Sequence, residues 1–299
     1  MKFILCQPAI KRFEWELEVV ITNLKNLGVK EIVLLFAKWD DSIPKYFKDN
    51  YNVEVHVYDD SPRDKHYIPS VKPYLWWKYL EEDSSREIED YFYIDSDVIF
   101  REIPNLSNVD YNSNKWVGSD CGGYLGIEYI DSKGKDLLSG MCKVIGIKEN
   151  VIRENNPIAG AQWIISHPTA EYWEKVYQDS IKLYQYLNGI EKSYIKANGS
   201  DYTPIQKWTA EMWAQLWNMY YFGKKSSVSD ELDFTWATDP IEKWYKNKIY
   251  HNAGVTSEEN NMFFKGKYVD KTPFHDNLEN INNKKACYKY VEAIKQVER

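Results

Sequence analysis

The run Ile32-Val-Leu-Leu-Phe-Ala37 is apolar without interruption, set between Glu31 and Lys38. A strand with one wet face alternates polar and apolar residues. One that is apolar throughout has to be covered on both faces, as in a parallel sheet flanked by helices. Its neighbours agree with that reading. Met1-Lys-Phe-Ile-Leu-Cys-Gln7 reads as a first strand. Ile10, Phe13, Leu17, Val20, Ile21, Leu24 and Leu27 then recur at helical spacing and stop at Gly28, a natural residue just past a helix end. Val53, Val55 and Val57 alternate with Glu54 and His56 in a further strand that ends at Tyr58-Asp59-Asp60. Strand, helix, strand, strand opens an α/β fold.

The remaining segments continue in kind. Ser70 suits an N-cap, with Pro73 tolerated in the first turn of a helix running through Tyr74-Leu-Trp-Trp-Lys-Tyr-Leu80. Asp90-Tyr-Phe-Tyr-Ile-Asp95-Ser-Asp97-Val-Ile-Phe100 reads as one apolar strand bearing two carboxylates on alternate residues. Trp116 to Gly126 reads as a strand entering a glycine-rich turn, and Pro157 to Ser166 as a small-residue turn entering another strand. An aromatic amphipathic helix is predicted over 168–188, a mobile loop over 189–204, and a helix from Trp208 to Tyr221 carrying Glu211 among Met212, Trp213 and Trp217. The sequence shows no internal repeat or clean linker, so its 299 residues are expected to form a single domain.

Side chains of an extended strand alternate between faces, so Asp95 and Asp97 would project the same way. Two carboxylates leave an octahedral cation most of its positions for phosphate oxygens or water, which suits Mg²⁺ or Mn²⁺ held together with a diphosphate. A lone Asp-x-Asp is also common as solvated surface. The motif gains weight from its place after several strand–helix units, since ligands of open α/β sheets bind beyond the carboxyl ends of the strands. Asp59 and Asp60 lie at another such end. Lys72 falls in the first turn of its helix, where a cation meets the positive end of the dipole and costs about 0.3–1 kcal/mol unless an anion sits there. It is either a solvent-facing lysine or a phosphate contact.

Composition narrows the partners. The net charge of −7 weighs against an extended polyanion, because nucleic-acid binding is driven by Lys and Arg. Against this, Lys224-Lys225 and Lys243-Trp-Tyr-Lys-Asn-Lys248 could make one basic aromatic face. Twelve Trp and 24 Tyr exceed ordinary core needs and supply flat rings of the kind that stack on sugars and nucleobases, although most are expected in the core. Cys6, Cys121, Cys142 and Cys287 lack metal-ligand spacing and read as buried reduced thiols. No apolar run approaches the ~20 residues of a membrane span. The first residues run straight into a helix without a signal peptide's pattern, so a cytoplasmic protein is expected. No GxGxxG or GxxxxGK[ST] pattern occurs, which disfavours Rossmann cofactors and P-loop chemistry.

In this order, strands and helices lead to Asp95-Ser-Asp97, then to a Gly160-Ala-Gln162 strand, the helix with Glu211, and a late Tyr250-His251-Asn-Ala-Gly254. Across nearly the whole chain this resembles the nucleotide-sugar-dependent glycosyltransferases of GT-A fold. The resemblance implies a Rossmann-like mixed sheet flanked by helices in a single compact domain with a C-terminal acceptor-side extension. Residues 1–115 would be the donor half and 116–299 the acceptor half. It implies transfer of a hexose of glucose or galactose type from a UDP-sugar to a hydroxyl acceptor. Asp95 and Asp97 match the metal aspartates and His251 the histidine that completes such sites; His suits Mn²⁺ better than Mg²⁺. Lys72 and Lys265 would meet the diphosphate. Asp59, Asp60 and Asp120 would meet the ribose or base and the sugar hydroxyls. Gln162 and Glu211 match positions lining the sugar and acceptor side. Burial among tryptophans would suit Glu211 to act as a base, and pairing with a surface cation is its structural alternative.

Other readings are kept beside this one. A phage-type glucosyltransferase acting on hydroxymethylated DNA bases is the acceptor-specific variant. A non-enzymatic carbohydrate-binding module would explain the tryptophans but not carboxylates gathered at strand ends. A phosphatase of the haloacid-dehalogenase type carries its Asp-x-Asp on the first strand, whereas here it arrives at residue 95.

Overall fold

The structure, a computed structural model, describes residues 1–199 and 201–298. In chain order β1 (Lys2–Pro8), α1 (Lys11–Asn26), β2 (Ile32–Ala37), α2 (Ser42–Asn50) and β3 (Glu54–Tyr58) are followed by α3 (Val71–Glu82), β4 (Asp90–Tyr93), β5 (Val98–Phe100) and β6 (Lys115–Asp120). Four short helices come next, α4 (Gly122–Leu125), α5 (Ile127–Lys133), α6 (Leu137–Ile145) and α7 (Glu149–Asn155). Then come β7 (Ala159–Ser166), α8 (Ala170–Asn198), α9 (Ala210–Tyr221), β8 (Lys225–Val228), β9 (Phe234–Trp236), β10 (Ile249–His251) and α10 (Cys287–Ile294). The fold is mixed α/β with a seven-stranded sheet. Two compact units share it: residues 1–58, 93–109 and 229–299 in the first, 59–92 and 110–228 in the second.

In the first unit β3, β2 and β1 are neighbours in that order and run parallel. No residue of β2 is more than 1% exposed, the double burial that its unbroken apolar run demands. The helix predicted from the spacing of Ile10 to Leu27 is α1. It ends in a Schellman motif, with Val29 N–H donating to the Leu24 carbonyl at 3.0 Å and Gly28 N–H to that of Lys25 at 2.9 Å. Gly28 supplies the φ of 84° that closes it.

A second, three-stranded sheet in this unit has the order β5-β10-β9. Its hydrophobic support comes from α1 and the C-terminal segment: Trp15, Val19, Ile99, Tyr250, Phe263, Tyr268, Tyr290 and Val291 form one buried cluster. Phe263 and Tyr268 stack on each other at 5.5 Å, both meet Trp15 edge-on, and the Trp15 indole N–H donates to the Tyr268 carbonyl at 3.0 Å. Each fully buried side chain of this size contributes about 1.5–3 kcal/mol. The segment carrying Lys265 is therefore fixed on both flanks.

In the second unit β7, β6 and β8 lie side by side, β6 antiparallel to β7 and parallel to β8. Tryptophan builds its core. Trp76 and Trp173 stack at 4.9 Å, Tyr172 meets Trp116 edge-on, and Trp213 and Trp217 of α9 are buried beside α8. The excess of tryptophan is thus chiefly packing, with Trp39 and Trp208 as exposed exceptions. All four cysteines are buried. Among the described residues no helix is long and apolar enough to cross a membrane.

Several expectations are corrected. Asp95 and Asp97 do not stand on one extended strand: β4 ends at Tyr93, β5 begins at Val98, and the carboxylates sit in the turn where the chain changes sheets to pair with β10. Of the segment 189–204, read as loop, residues 189–198 are helix, because α8 continues to Asn198. Tyr186 and Tyr194 of α8 lie over Gly140 and Gly134, where a Cβ would collide with either ring, and this contact carries the helix on. Gly199 and residues 201–204 are not helical, and Ser200 lies outside the described residues. Ser70 does not cap α3; its hydroxyl donates to the Tyr67 carbonyl at 2.6 Å. Helix α2 and helices α4 to α7 were not anticipated.

Candidate active site

The first unit gathers the residues that the sequence pattern singled out as metal ligands. Antiparallel pairing sets His251 opposite Val98, and the Asn252 N–H donates to the Asp97 carbonyl at 2.9 Å, so backbone ladder bonds fix the histidine beside Asp97. His251 Nε2 lies 3.3 Å from Asp97 Oδ1 and 3.8 Å from Asp95 Oδ2. One ligand atom from each of the three residues falls within 4.8 Å of the others. On the far side β9 pairs with β10 so that Trp236 sits opposite His251. The indole lies nearly parallel to the imidazole, 6.1 Å between centroids and 11° between planes, and holds the ring's orientation.

Behind the carboxylates stands a buried polar group. Lys265 Nζ donates to Asp97 Oδ2. Ser96 Oγ donates to Glu16 Oε2 at 2.7 Å, and Glu16, on α1, is 1% exposed. Glu16 Oε1 and the Tyr290 hydroxyl are buried without a hydrogen-bond partner among the described residues. Burial pushes the Glu16 carboxyl up to about 7; Asp97 adds to the rise, while the Lys265 ammonium opposes it. Burial acts in the same upward direction on Asp97, but Lys265 and His251 outweigh it and hold this carboxyl far below the usual range. For Lys265 burial favours the neutral amine, and the charges of Asp97 and Glu16 reverse that, so its pKa is raised and the ammonium persists.

Two carboxylates and an imidazole at this spacing fit a divalent cation: the donors converge, one carboxylate is held ionised, and the set leaves further positions open. Between Mn²⁺ and Mg²⁺, an imidazole donor suits Mn²⁺ better, because Mg²⁺ prefers oxygen alone.

In the second unit the flagged residues are held differently. Lys72 Nζ lies 3.3 Å from Glu211 Oε1. Both residues sit in first turns, of α3 and α9, so the anion that Lys72's position asks for is supplied by the chain itself. Glu211 N–H donates to the Tyr67 hydroxyl at 2.9 Å, which donates to the Trp208 carbonyl at 2.6 Å. Burial, and then the Glu211 charge, push the Tyr67 phenol well above its ordinary pKa. Asp60 is buried and clasped by Arg63, Nε to Oδ1 at 2.5 Å and Nη2 to Oδ2 at 3.3 Å, with Lys65 3.4 Å away. Asp59 accepts from the Ser61 N–H and hydroxyl, and Asp120 accepts from the Gly122 N–H at 2.8 Å at the start of α4. Gln162 is fully buried and accepts from Ser119 Oγ at 2.7 Å. It lies in a bulge: Gly118 pairs with Trp163 but Ser119 with Gly160, and Ala161 takes a φ of 53°.

Of the basic aromatic stretch, Lys243 pairs with Asp239, and Lys248 with Glu231 and Glu102. Lys224 donates to the Ser113 carbonyl and lies over the Trp116 ring. Sequence reasoning missed Glu16, Arg63, Tyr67 and Trp236. The alternation of Glu14, Glu16 and Glu18 in an apolar helix was the one available signal, since all three are buried.

No protein-family model and no curated protein matches this sequence. Among solved structures, an active-site mutant of LgtC aligns over 100% of this chain and 97% of its own, at 12% identity and a TM-score of 0.51. LgtC, a galactosyltransferase in complex with donor and acceptor sugar analogues, aligns over the same shares at 12% identity with a TM-score of 0.49. The apo bifunctional glycosyltransferase WbbM aligns over 99% of this chain and 50% of its own, at 10% identity and a TM-score of 0.47. The chain has the mixed α/β fold of the GT-A glycosyltransferases.

Proposed function

We propose that the protein is a glycosyltransferase that moves a hexose from a UDP-sugar to a hydroxyl acceptor, within one domain spanning 1–299. The observation that carries this reading is the convergence of Asp95, Asp97 and His251 on a fold shared with LgtC. Asp95, Asp97 and His251 would hold Mn²⁺ or Mg²⁺. The ion, when bound, supplies Lewis acidity toward the oxygens of the leaving diphosphate. Lys265, protonated beside Asp97, adds a fixed positive charge for the same oxygens. Glu211 and Gln162 are proposed to face the sugar and acceptor, Glu211 with Lys72 setting its orientation. Asp59, Asp60 and Asp120 are proposed for the nucleoside and sugar hydroxyls, on the strength of the resemblance alone. The convergence of Asp95 and Asp97 with His251 is what separates this reading from a carbohydrate-binding module. Nothing observed favours DNA as acceptor, since Lys243 and Lys248 are paired with carboxylates of the chain.

Thermal-shift measurements with UDP, with and without Mn²⁺ or Mg²⁺, test it. Stabilisation should require nucleotide and metal together, reach about 2.7 kcal/mol at a hundred times Kd, and vanish in Asp97→Asn. Indifference to every nucleoside diphosphate overturns the reading.

A further inference from the structure

We propose that Lys265 makes metal loading conditional on the diphosphate: its ammonium occupies Asp97, so a divalent cation binds weakly until a diphosphate arrives to neutralise both. The inference rests on the metal centre proposed above and goes beyond it, because it assigns Lys265 a role toward the metal as well as toward the donor.

The geometry points to this from three sides. Asp97 has two carboxylate oxygens, and both face cation-bearing or hydrogen-donating groups: Oδ1 faces His251 Nε2 at 3.3 Å and Oδ2 accepts from Lys265. An ion ligated by Asp97 is therefore within a few ångströms of a second positive charge. The backbone on either side of Lys265 is pinned, Phe263 and Tyr268 being stacked together against Trp15, so the ammonium stays within reach of this carboxylate. And the third acid of the cluster is engaged elsewhere: Glu16, on α1, accepts from Ser96 Oγ at 2.7 Å.

A nucleoside diphosphate brings several negative charges to the same place. Metal and ammonium then share its oxygens in addition to Asp97, and their mutual repulsion becomes shared attraction to a common anion. Coupling of this kind is reciprocal, so the metal raises nucleotide affinity by the factor by which the nucleotide raises metal affinity. The consequence at equilibrium is that metal and nucleotide occupy the site together far more readily than either does alone.

Isothermal titration of Mn²⁺ into the intact protein, alone and with saturating UDP, tests the device without any turnover. Wild type should bind Mn²⁺ alone weakly and with UDP at least a hundredfold more tightly. Lys265→Met should bind Mn²⁺ alone at least tenfold more tightly than wild type and show at least a tenfold smaller gain from UDP. Lys265→Gln makes the same comparison where circular dichroism finds the Met variant poorly folded, and Lys265→Arg, which keeps the cation, should retain the wild-type pattern. Equal or weaker binding of Mn²⁺ alone by the uncharged variants overturns this inference while leaving the metal centre standing. Failure of every protein to bind Mn²⁺, with or without UDP, overturns the metal centre and the inference with it.

Discussion

The two units hold buried charge in opposite ways. In the second, each buried carboxylate has a cation of its own: Glu211 has Lys72, Asp60 has Arg63 and Lys65, and Asp179 has Lys175 and Lys182. In the first, Asp95, Asp97 and Glu16 gather around Lys265 and His251, with the Arg12 charge also acting on Glu16, and Glu16 Oε1 has no hydrogen-bond partner among the described residues. A closed pair neutralises a carboxylate and fixes its orientation. Converging carboxylates and an imidazole can also take something that arrives from outside, and a divalent ion is what these donors suit.

The largest effect that separates the two modes is expected at Arg63. Replacing it in Arg63→Met leaves the buried Asp60 with only the half-exposed Lys65, and breaking a buried pair from one side costs about 3–5 kcal/mol. Urea unfolding in ligand-free buffer should show that loss. A loss below about 1 kcal/mol would mean that the second unit is not closed in the sense drawn here.

What the sequence made legible follows the range of the interaction. Strand β2 and helix α1 were readable because burial on both faces and helical spacing are local properties of 32–37 and 10–27. The importance of Asp95 and Asp97 was readable from their spacing, but the turn that presents them was not. That turn exists because β5 pairs with β10, a partnership between residues 98–100 and 249–251. Lys72 and Glu211 each stood out, yet their pairing spans 139 positions and no pattern along the chain announces it. Glu16 was hidden for the same reason: its partner Ser96 is 80 residues away, and in the sequence it is one glutamate among three on an amphipathic helix.

Glu16 gives the next effect and sharpens the contrast through pH. Its carboxyl titrates at about 7 in the folded chain against an ordinary 4.5. The folded state therefore binds the proton more tightly than the unfolded state. The stability that comes from protonated Glu16 is complete below 4.5 and is lost as pH rises through 7. The span corresponds to about 3 kcal/mol at most. In metal-free buffer, Glu16→Gln should flatten the fall in Tm between pH 5 and 8 and be more stable than wild type at pH 8. An unchanged slope would place the uncompensated carboxylate elsewhere in the first unit.

The smallest effect concerns a residue positioned by backbone shape where its neighbours are positioned by charge. Gln162 follows Ala161, whose φ of 53° is unfavourable for a residue with a Cβ and persists inside the bulge where β6 and β7 shift register. Glycine adopts that conformation without the penalty, though it loses about 0.5–1 kcal/mol of backbone entropy on folding. Ala161→Gly should therefore raise stability by about 1 kcal/mol or less in urea unfolding, and Ala161→Val should lower it by about 1–3 kcal/mol. If the strain serves to hold Gln162 toward the sugar, the stabilised glycine variant should transfer sugar more slowly than wild type with unchanged Mn²⁺ and UDP binding. A glycine variant that is both more stable and fully active would show that the bulge is tolerated by the fold and plays no part in positioning Gln162.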